Sequence, residues 1–267
     1  MRLSRLATLV IAAAVAGACG SSDNVTDPAL PPLAGVRFIN GLADSSAVDV
    51  KMIDQIKYSF EGIQAIPFRG GTEHQPVEAK ARHIRVFPNS NVAAITSAFM
   101  VDTTITFAAN SRYTLLLTRE TPTHVHLVVI NDDAPTPPAG QIAVRAVNAS
   151  TGAVDAYLVT ATSDPATPPA TAANIGAFGA SNYVTRATGN AAVRVTPAGS
   201  GTVAASAAGP TTTPPLAGQL PAAAVNSAGT AFSVYYFPRS VAGTSAPQTA
   251  AFTNPAVVWF VDRVPTA

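Results

Sequence analysis

Apolar and polar residues alternate over short runs of this chain, as in Val48, Asp49, Val50 and Lys51, where the valines fall on one face and the charges on the other. Runs of this kind, rich in Val, Ile, Thr and Phe and bounded by Pro, Gly, Asn and Asp, predict strands. In the first half the pattern places them at 36–40, 48–53, 58–60, 63–68, 78–87, 95–107, 112–118 and 124–130. In the second half it places them at 142–148, 154–160, 183–185, 191–196, 231–237 and 256–262. Over 93–100 periodicity alone does not separate helix from strand. The Ala, Gly, Pro and Thr stretch between 196 and 224 predicts a loose excursion around one hairpin. No long amphipathic helical pattern is present, so the expected class is all-β, and several short strands with regular turns in about 110 residues argue a β-sandwich.

The pattern occurs twice. Val36, Arg37, Phe38, Ile39, Asn40, a polar loop and then Ala47, Val48, Asp49, Val50 return as Val144, Arg145, Ala146, Val147, Asn148, a shorter loop and then Ala153, Val154, Asp155, Ala156. Three later anchors return in the same order: 84–88 as 193–197, 111–115 as 230–234, and 128–135 as 258–265. Spacings differ only between anchors, where insertions into surface loops cost least. The chain therefore reads as a duplicated module, with a first copy over 35–138 and a second over 139–267. Each copy is long enough to bury its own core.

Before the first copy the pattern changes. Arg2 and Arg5 precede an uncharged apolar run over 6–15, followed by Ala16, Gly17 and Ala18. That run is shorter than the roughly 20 residues a permanent span needs, and the arrangement is that of an export signal over 1–18. The next residue, Cys19, is the single cysteine of the chain. The site resembles the bacterial lipoprotein box, with Ala16 where leucine is usual. The resemblance implies that the Cys19 sulfur carries a diacylglycerol and that the chain is held to the bilayer by acyl groups. The alternative is an ordinary Ala-x-Ala cleavage site, which leaves an exported chain with one unpaired thiol at its start. Gly20 lacks the aspartate that resembles an inner-membrane retention signal, so in a two-membrane organism the outer membrane is expected. Residues 19–34 are rich in Ser, Asp, Asn, Pro and Gly and read as a disordered tether.

Composition removes several functions. Charged residues are 12% of the chain and the net charge is +1, with no dense basic run, so the electrostatic basis for nucleic-acid binding is missing. No serine sits in a Gly-x-Ser-x-Gly elbow, no phosphate-cradling glycine loop opens a helix, and no cofactor is implied.

Val36, Arg37, Asn40, Val48 and Asp49, and again Val144, Arg145, Asn148, Val154 and Asp155, resemble the opening pattern of domain of unknown function 4397, found in exported and lipid-anchored bacterial proteins. The resemblance implies an immunoglobulin-like sandwich in each module and carries over no catalytic residue.

The repeated charges admit two accounts. Arg37 with Arg145, Asp49 with Asp155, Arg85 with Arg194, and Asp132 with Asp262 are either a ligand-contacting set used twice or structural groups. In the structural account the aspartates accept from loop backbone, and the arginines cover sheet edges or pair with carboxylates. Duplicated modules repeat what folding needs more reliably than what a substrate needs, which favours the structural account for Arg37, Asn40, Asp49, Arg145, Asn148 and Asp155. His124 and His126 stand two apart on an expected strand, the spacing at which two imidazoles can share one zinc, with His74 or His83 as third ligand. A solvent-facing pair is the expected account, because the matching positions in the second module are Asn254 and Ala256. The loop at Asp44, Ser45 and Ser46 lacks the ligand density of an EF-hand. The aromatics Tyr235, Tyr236, Phe237, Trp259 and Phe260 are expected mostly to fill the second core. Together these features point to a non-catalytic envelope lipoprotein displaying two modules for a binding or structural role, with an envelope protein or polysaccharide as partner. The competing account is a metal-dependent hydrolase built on His124 and His126.

Overall fold

The computed structural model describes residues 30–54, 63–121, 123–213 and 222–265. Cys19, the export signal, most of the expected tether and the strand expected at 58–60 lie outside the described residues. Leu33–Ala267 forms one compact unit.

Both halves fold the same way. The first contains β1 (Leu33–Asn40), β2 (Ala47–Met52), β3 (Ile63–Pro67), β4 (Gln75–Glu78), β5 (Ala81–Pro88), a single helical turn α1 (Ala93–Thr96), β6 (Val101–Thr106), β7 (Arg112–Thr121) and β8 (His124–Asn131). The second contains β9 (Gln141–Asn148), β10 (Val154–Val159), β11 (Ala172–Ile175), β12 (Val184–Ala187), β13 (Ala192–Pro197), β14 (Ala205–Ala208), β15 (Ala231–Phe237) and β16 (Ala256–Arg263). The sheets of the first half have the orders β4-β1-β7-β8 and β3-β2-β5-β6, and those of the second repeat them as β12-β9-β15-β16 and β11-β10-β13-β14. β1 runs parallel to β7, and β9 to β15, while every other pair is antiparallel. The described residues are thus nearly all β, in two tandem immunoglobulin-like sandwiches.

Each sandwich has its own core. Val36, Phe38, Val48, Val50, Ile84, Val86, Leu115 and Leu117 close the first, and Val144, Ala146, Val154, Val193, Val195, Phe232 and Val234 the second. A third apolar layer joins them: Ile39, Phe68, Leu116, Ile130, Val147, Tyr235 and Phe237. Strand alternation explains its origin, because Val36 and Phe38 point into the first core while Arg37 and Ile39 must point out of it. That outer face of β4-β1-β7-β8 meets the outer face of β12-β9-β15-β16, so the central strands β1, β7, β9 and β15 are largely buried on both sides.

Several elements differ from expectation. The strand expected over 78–87 is two strands in different sheets. The chain turns between them at residues 79–80, where Lys80 N–H donates to the Glu78 carbonyl at 3.0 Å. The strand expected over 95–107 begins only at Val101, because Ser90 Oγ accepts from the Val92 amide and the next residues close the turn of α1. β11 and β14 were not expected. Their sequences, Ala-Ala-Asn-Ile and Ala-Ser-Ala-Ala, have low strand propensity and are held as edge strands by β10 and β13.

Candidate functional site

The densest polar constellation among the described residues lies in the seam between the sandwiches. Register places Thr114 beside Arg37 across β1 and β7, and Ser233 beside Arg145 across β9 and β15. Asp132 directly follows β8 and Asp262 lies near the end of β16, at matching positions of the repeat. Arg37 Nε donates to Thr114 Oγ1 at 2.5 Å, Nη1 to the Val261 carbonyl at 3.0 Å and Nη2 to Asp262 Oδ1 at 2.6 Å. Arg145 mirrors this with donations to Ser233 Oγ at 2.7 Å, to the Asn131 carbonyl at 2.7 Å and to Asp132 Oδ1. Each arginine therefore bonds a hydroxyl in its own module and a carboxylate in the other.

The carboxylates are completed locally. Thr114 donates to Asp132, and Ser233 donates to Asp262 at 2.6 Å. His74 Nε2 lies 3.0 Å from Asp132 Oδ2, and the Tyr183 hydroxyl donates to Asp262 Oδ2 at 2.8 Å. His74 and Tyr183 are equivalents, each preceding the segment that pairs with the opening strand. The guanidinium planes are covered by rings, Arg37 by Phe260 at 5.5 Å and Arg145 by Tyr183 at 4.7 Å. Arg37, Asp132 and Asp262 are at most 1% exposed and Arg145 is 6%. Two cations and two anions fully satisfied in this way carry no net charge into the seam, the condition under which buried ions are tolerated.

The two carboxylates are not alike electrostatically. Burial opposes ionisation of Asp132, but His74, Arg37, Arg145 and Thr114 outweigh it and hold its carboxyl below the ordinary range. Burial raises Asp262, the neighbouring Asp132 adds to the rise, and Arg37, Ser233 and Arg145 offset only part of it. Asp132 has both arginines within ion-pair distance, whereas Asp262 has Arg37 alone.

A second clamp crosses the seam without a carboxylate. Arg69 donates to the carbonyls of Ala251 at 2.8 Å, Pro238 at 2.7 Å, Phe252 at 3.1 Å and Asn254 at 2.6 Å, with its guanidinium over the rings of Phe68 and Phe252. Burial without a full countercharge lowers its pKa to about 10. Sequence reasoning passed over Arg69, since no repeat partner marks it.

The other repeated positions hold turns. Asp49 Oδ1 accepts from the Ala65 amide at 2.7 Å, and Asp155 Oδ1 from the Asn174 amide at 2.6 Å. Ala65 and Asn174 both sit at positive φ, 53° and 51°, beside bulges in β2–β3 and β10–β11. Asn40 donates to the Ile66 carbonyl and accepts from the Leu42 amide, both at 3.0 Å. Asn148 Nδ2 lies within 3.1 Å of the carbonyls of Gly152, Ile175 and Gly176, and its Oδ1 accepts from Ser150.

The remaining candidates scatter. Arg85 pairs with Asp102 at 2.8 Å, whereas Arg194 donates to the Asp164 carbonyl. Asp44 pairs with Arg119 at 2.7 Å, and Ser45 is buried. His74 is committed to Asp132 and His83 to Asp102, so neither joins His124 and His126. The group that does join them is Glu120, with ligand atoms of all three within 4.8 Å of one another. Sequence spacing hid it because Glu120 is the bulged residue between Arg119 and Thr121. The late aromatics divide between two layers: Tyr236 and Trp259 pack on the second core, while Tyr235, Phe237 and Phe260 fill the seam.

What the geometry defines is a tandem β-sandwich in which two of the repeated charge pairs, Arg37 with Arg145 and Asp132 with Asp262, join its modules. Residues 34–157 match the family model described as Domain of unknown function (DUF4397). The match covers the first sandwich and runs on into β10, taking in Arg37, Asp132 and Arg145. No curated protein sequence matches the chain. Among solved structures it is similar to the crystal structure of CBMbc, of family CBM26, from Eubacterium rectale Amy13K in complex with maltoheptaose, at 10% identity over 85% of this chain and 96% of that one. The TM-score is 0.24, too low for the likeness to bear on fold or ligand.

Proposed function

We propose that this chain is a non-catalytic lipoprotein of the bacterial envelope, whose two sandwiches act as one stiff, displayed unit with a binding or structural role toward an envelope protein or polysaccharide. One observation carries the non-catalytic reading: Arg37, Arg145, Asp132 and Asp262 spend their hydrogen bonds on one another and on neighbouring side chains and carbonyls inside a buried seam. Groups satisfied in this way hold a structure and do not face a substrate. The anchoring part rests on the sequence, on Arg2 and Arg5, the apolar run after them, and Cys19 behind Ala16, Gly17 and Ala18. Two or three acyl chains, at about 0.8 kcal/mol per buried methylene, hold a protein that one chain would not. Gly20, standing where a sequence resembling an inner-membrane retention signal would have aspartate, supports the outer membrane where two membranes exist.

The anchoring is tested by expressing the full chain with a labelled fatty acid. Label at Cys19, precursor accumulation under globomycin, and release into the soluble fraction by Cys19→Ala are the expected results. A processed Cys19→Ala protein that stays with the membrane and a wild type without label would overturn the reading.

A further inference from the structure

We propose that Glu120, His124 and His126 form a surface site for one late first-row divalent cation, zinc being the best match. The three side chains come from the β7–β8 hairpin at the end of its sheet away from Leu33. β8 places His124 and His126 on one face, and the bulge at Glu120 swings a carboxylate into the same place. The imidazoles stack with centroids 4.7 Å apart and 14° between planes, and His124 Nδ1 lies 3.3 Å from Glu120 Oε2.

Two imidazoles and one carboxylate are a ligand set that zinc accepts, leaving a fourth position open. Zn–N bonds of about 2.0–2.1 Å in a tetrahedron bring ligand atoms to roughly 3.4 Å of each other, so the three groups must draw in by about an ångström or more. Little opposes that movement. The His124 and Glu120 side chains are 60% and 62% exposed, and a long hydrogen bond between exposed groups is cheap to exchange for a metal bond. His126 Nδ1 is shielded from solvent without a hydrogen-bond partner, so turning its ring breaks no bond at that atom.

The position gives the ion something to do. His126 meets the ring of Phe178 edge-on at 6.0 Å and 88°, and Phe178 belongs to the second module. It also lines an open cleft of about 240 Å³ with Arg119, Ser150 and Arg239. A cation here would sit at the lip of the seam, its open position available to water or to a donor from a partner.

The test is titration of the full chain, stripped of metal, with Zn²⁺ by calorimetry, together with the visible spectrum of the Co²⁺ form. One saturable equivalent is expected, with tetrahedral Co²⁺ bands and at least about tenfold weaker binding in Glu120→Gln, His124→Ala and His126→Ala. His83→Ala, which removes the other exposed histidine–carboxylate pair, is expected to bind as wild type. The exposed His124 can be removed without touching the cores, so a folding defect in another variant leaves the result readable. No saturable binding, or unchanged affinity in His124→Ala, would overturn the proposal.

Discussion

Arg37 Nη2 donates to Asp262 Oδ1 at 2.6 Å across 225 residues of chain, and each residue is 1% exposed. The reciprocal bond from Arg145 to Asp132 makes the arrangement a handshake, each module holding the other's carboxylate. Breaking one side leaves a charge buried without its partner, the costly case for ion pairs. Arg37→Met and Asp132→Asn are each expected to lower unfolding free energy by about 3–5 kcal/mol, read from urea titrations. Replacing all four charges with apolar residues of similar volume is expected to cost less than the single changes added together, because the desolvation of the ions disappears and what remains is the loss of partners by Thr114, Ser233, His74 and Tyr183.

The unequal carboxylates predict a particular acid response. The folded pKa of Asp132 lies below its unfolded value of about 3.9. Its stabilisation is therefore present above that unfolded value and is lost as pH falls through the folded one. Asp262 has the opposite sign. Its folded pKa is raised, so stability rises as pH falls through that raised value toward the unfolded one. Asp132→Asn should flatten the acid limb of a stability–pH curve, and Asp262→Asn should remove the gain that precedes it. Urea midpoints across pH 2–7 read both effects.

Ala65 carries a left-handed backbone that its Cβ disfavours, at a cost of about 1–2 kcal/mol. Asp49 secures it by accepting its amide hydrogen. Ala65→Gly is expected to shift the thermal midpoint upward, limited by the added freedom of the unfolded chain. Asn174→Gly should gain less, since asparagine tolerates this conformation. Asp49→Ala is expected to cost about 1–2 kcal/mol, and to cost less in the Ala65→Gly background if strain relief and capping act on the same residue.

How much of this was legible beforehand follows from strand periodicity. Val36 and Phe38 announced an inward face, and the returning phrase at Val144 to Asn148 announced a second copy of the same sandwich. Arg37 was harder, because in an alternating strand a charge beside apolar residues reads as solvent-facing. Its outer face is covered by another sheet, and the available sign was Ile39 and Val147, apolar residues on the side that should have been wet. Pairing with carboxylates was among the readings of Arg37 and Arg145, but nothing local says that each partner lies in the other module. Glu120 was hidden for a different reason, since a bulge changes which residues share a face. Arg69 was hidden because its partners are backbone carbonyls, which no side-chain pattern encodes.

The central claim is that the seam makes two sandwiches into one cooperative body. It is tested most directly by unfolding the full chain in denaturant while following two probes. Fluorescence of Trp259, the single tryptophan, reports the second module, and hydrogen exchange of the β2 and β5 amides reports the first. Coincident midpoints that separate on Arg37→Met are predicted. Two distinct midpoints in the wild type, unchanged by Arg37→Met, would contradict the account.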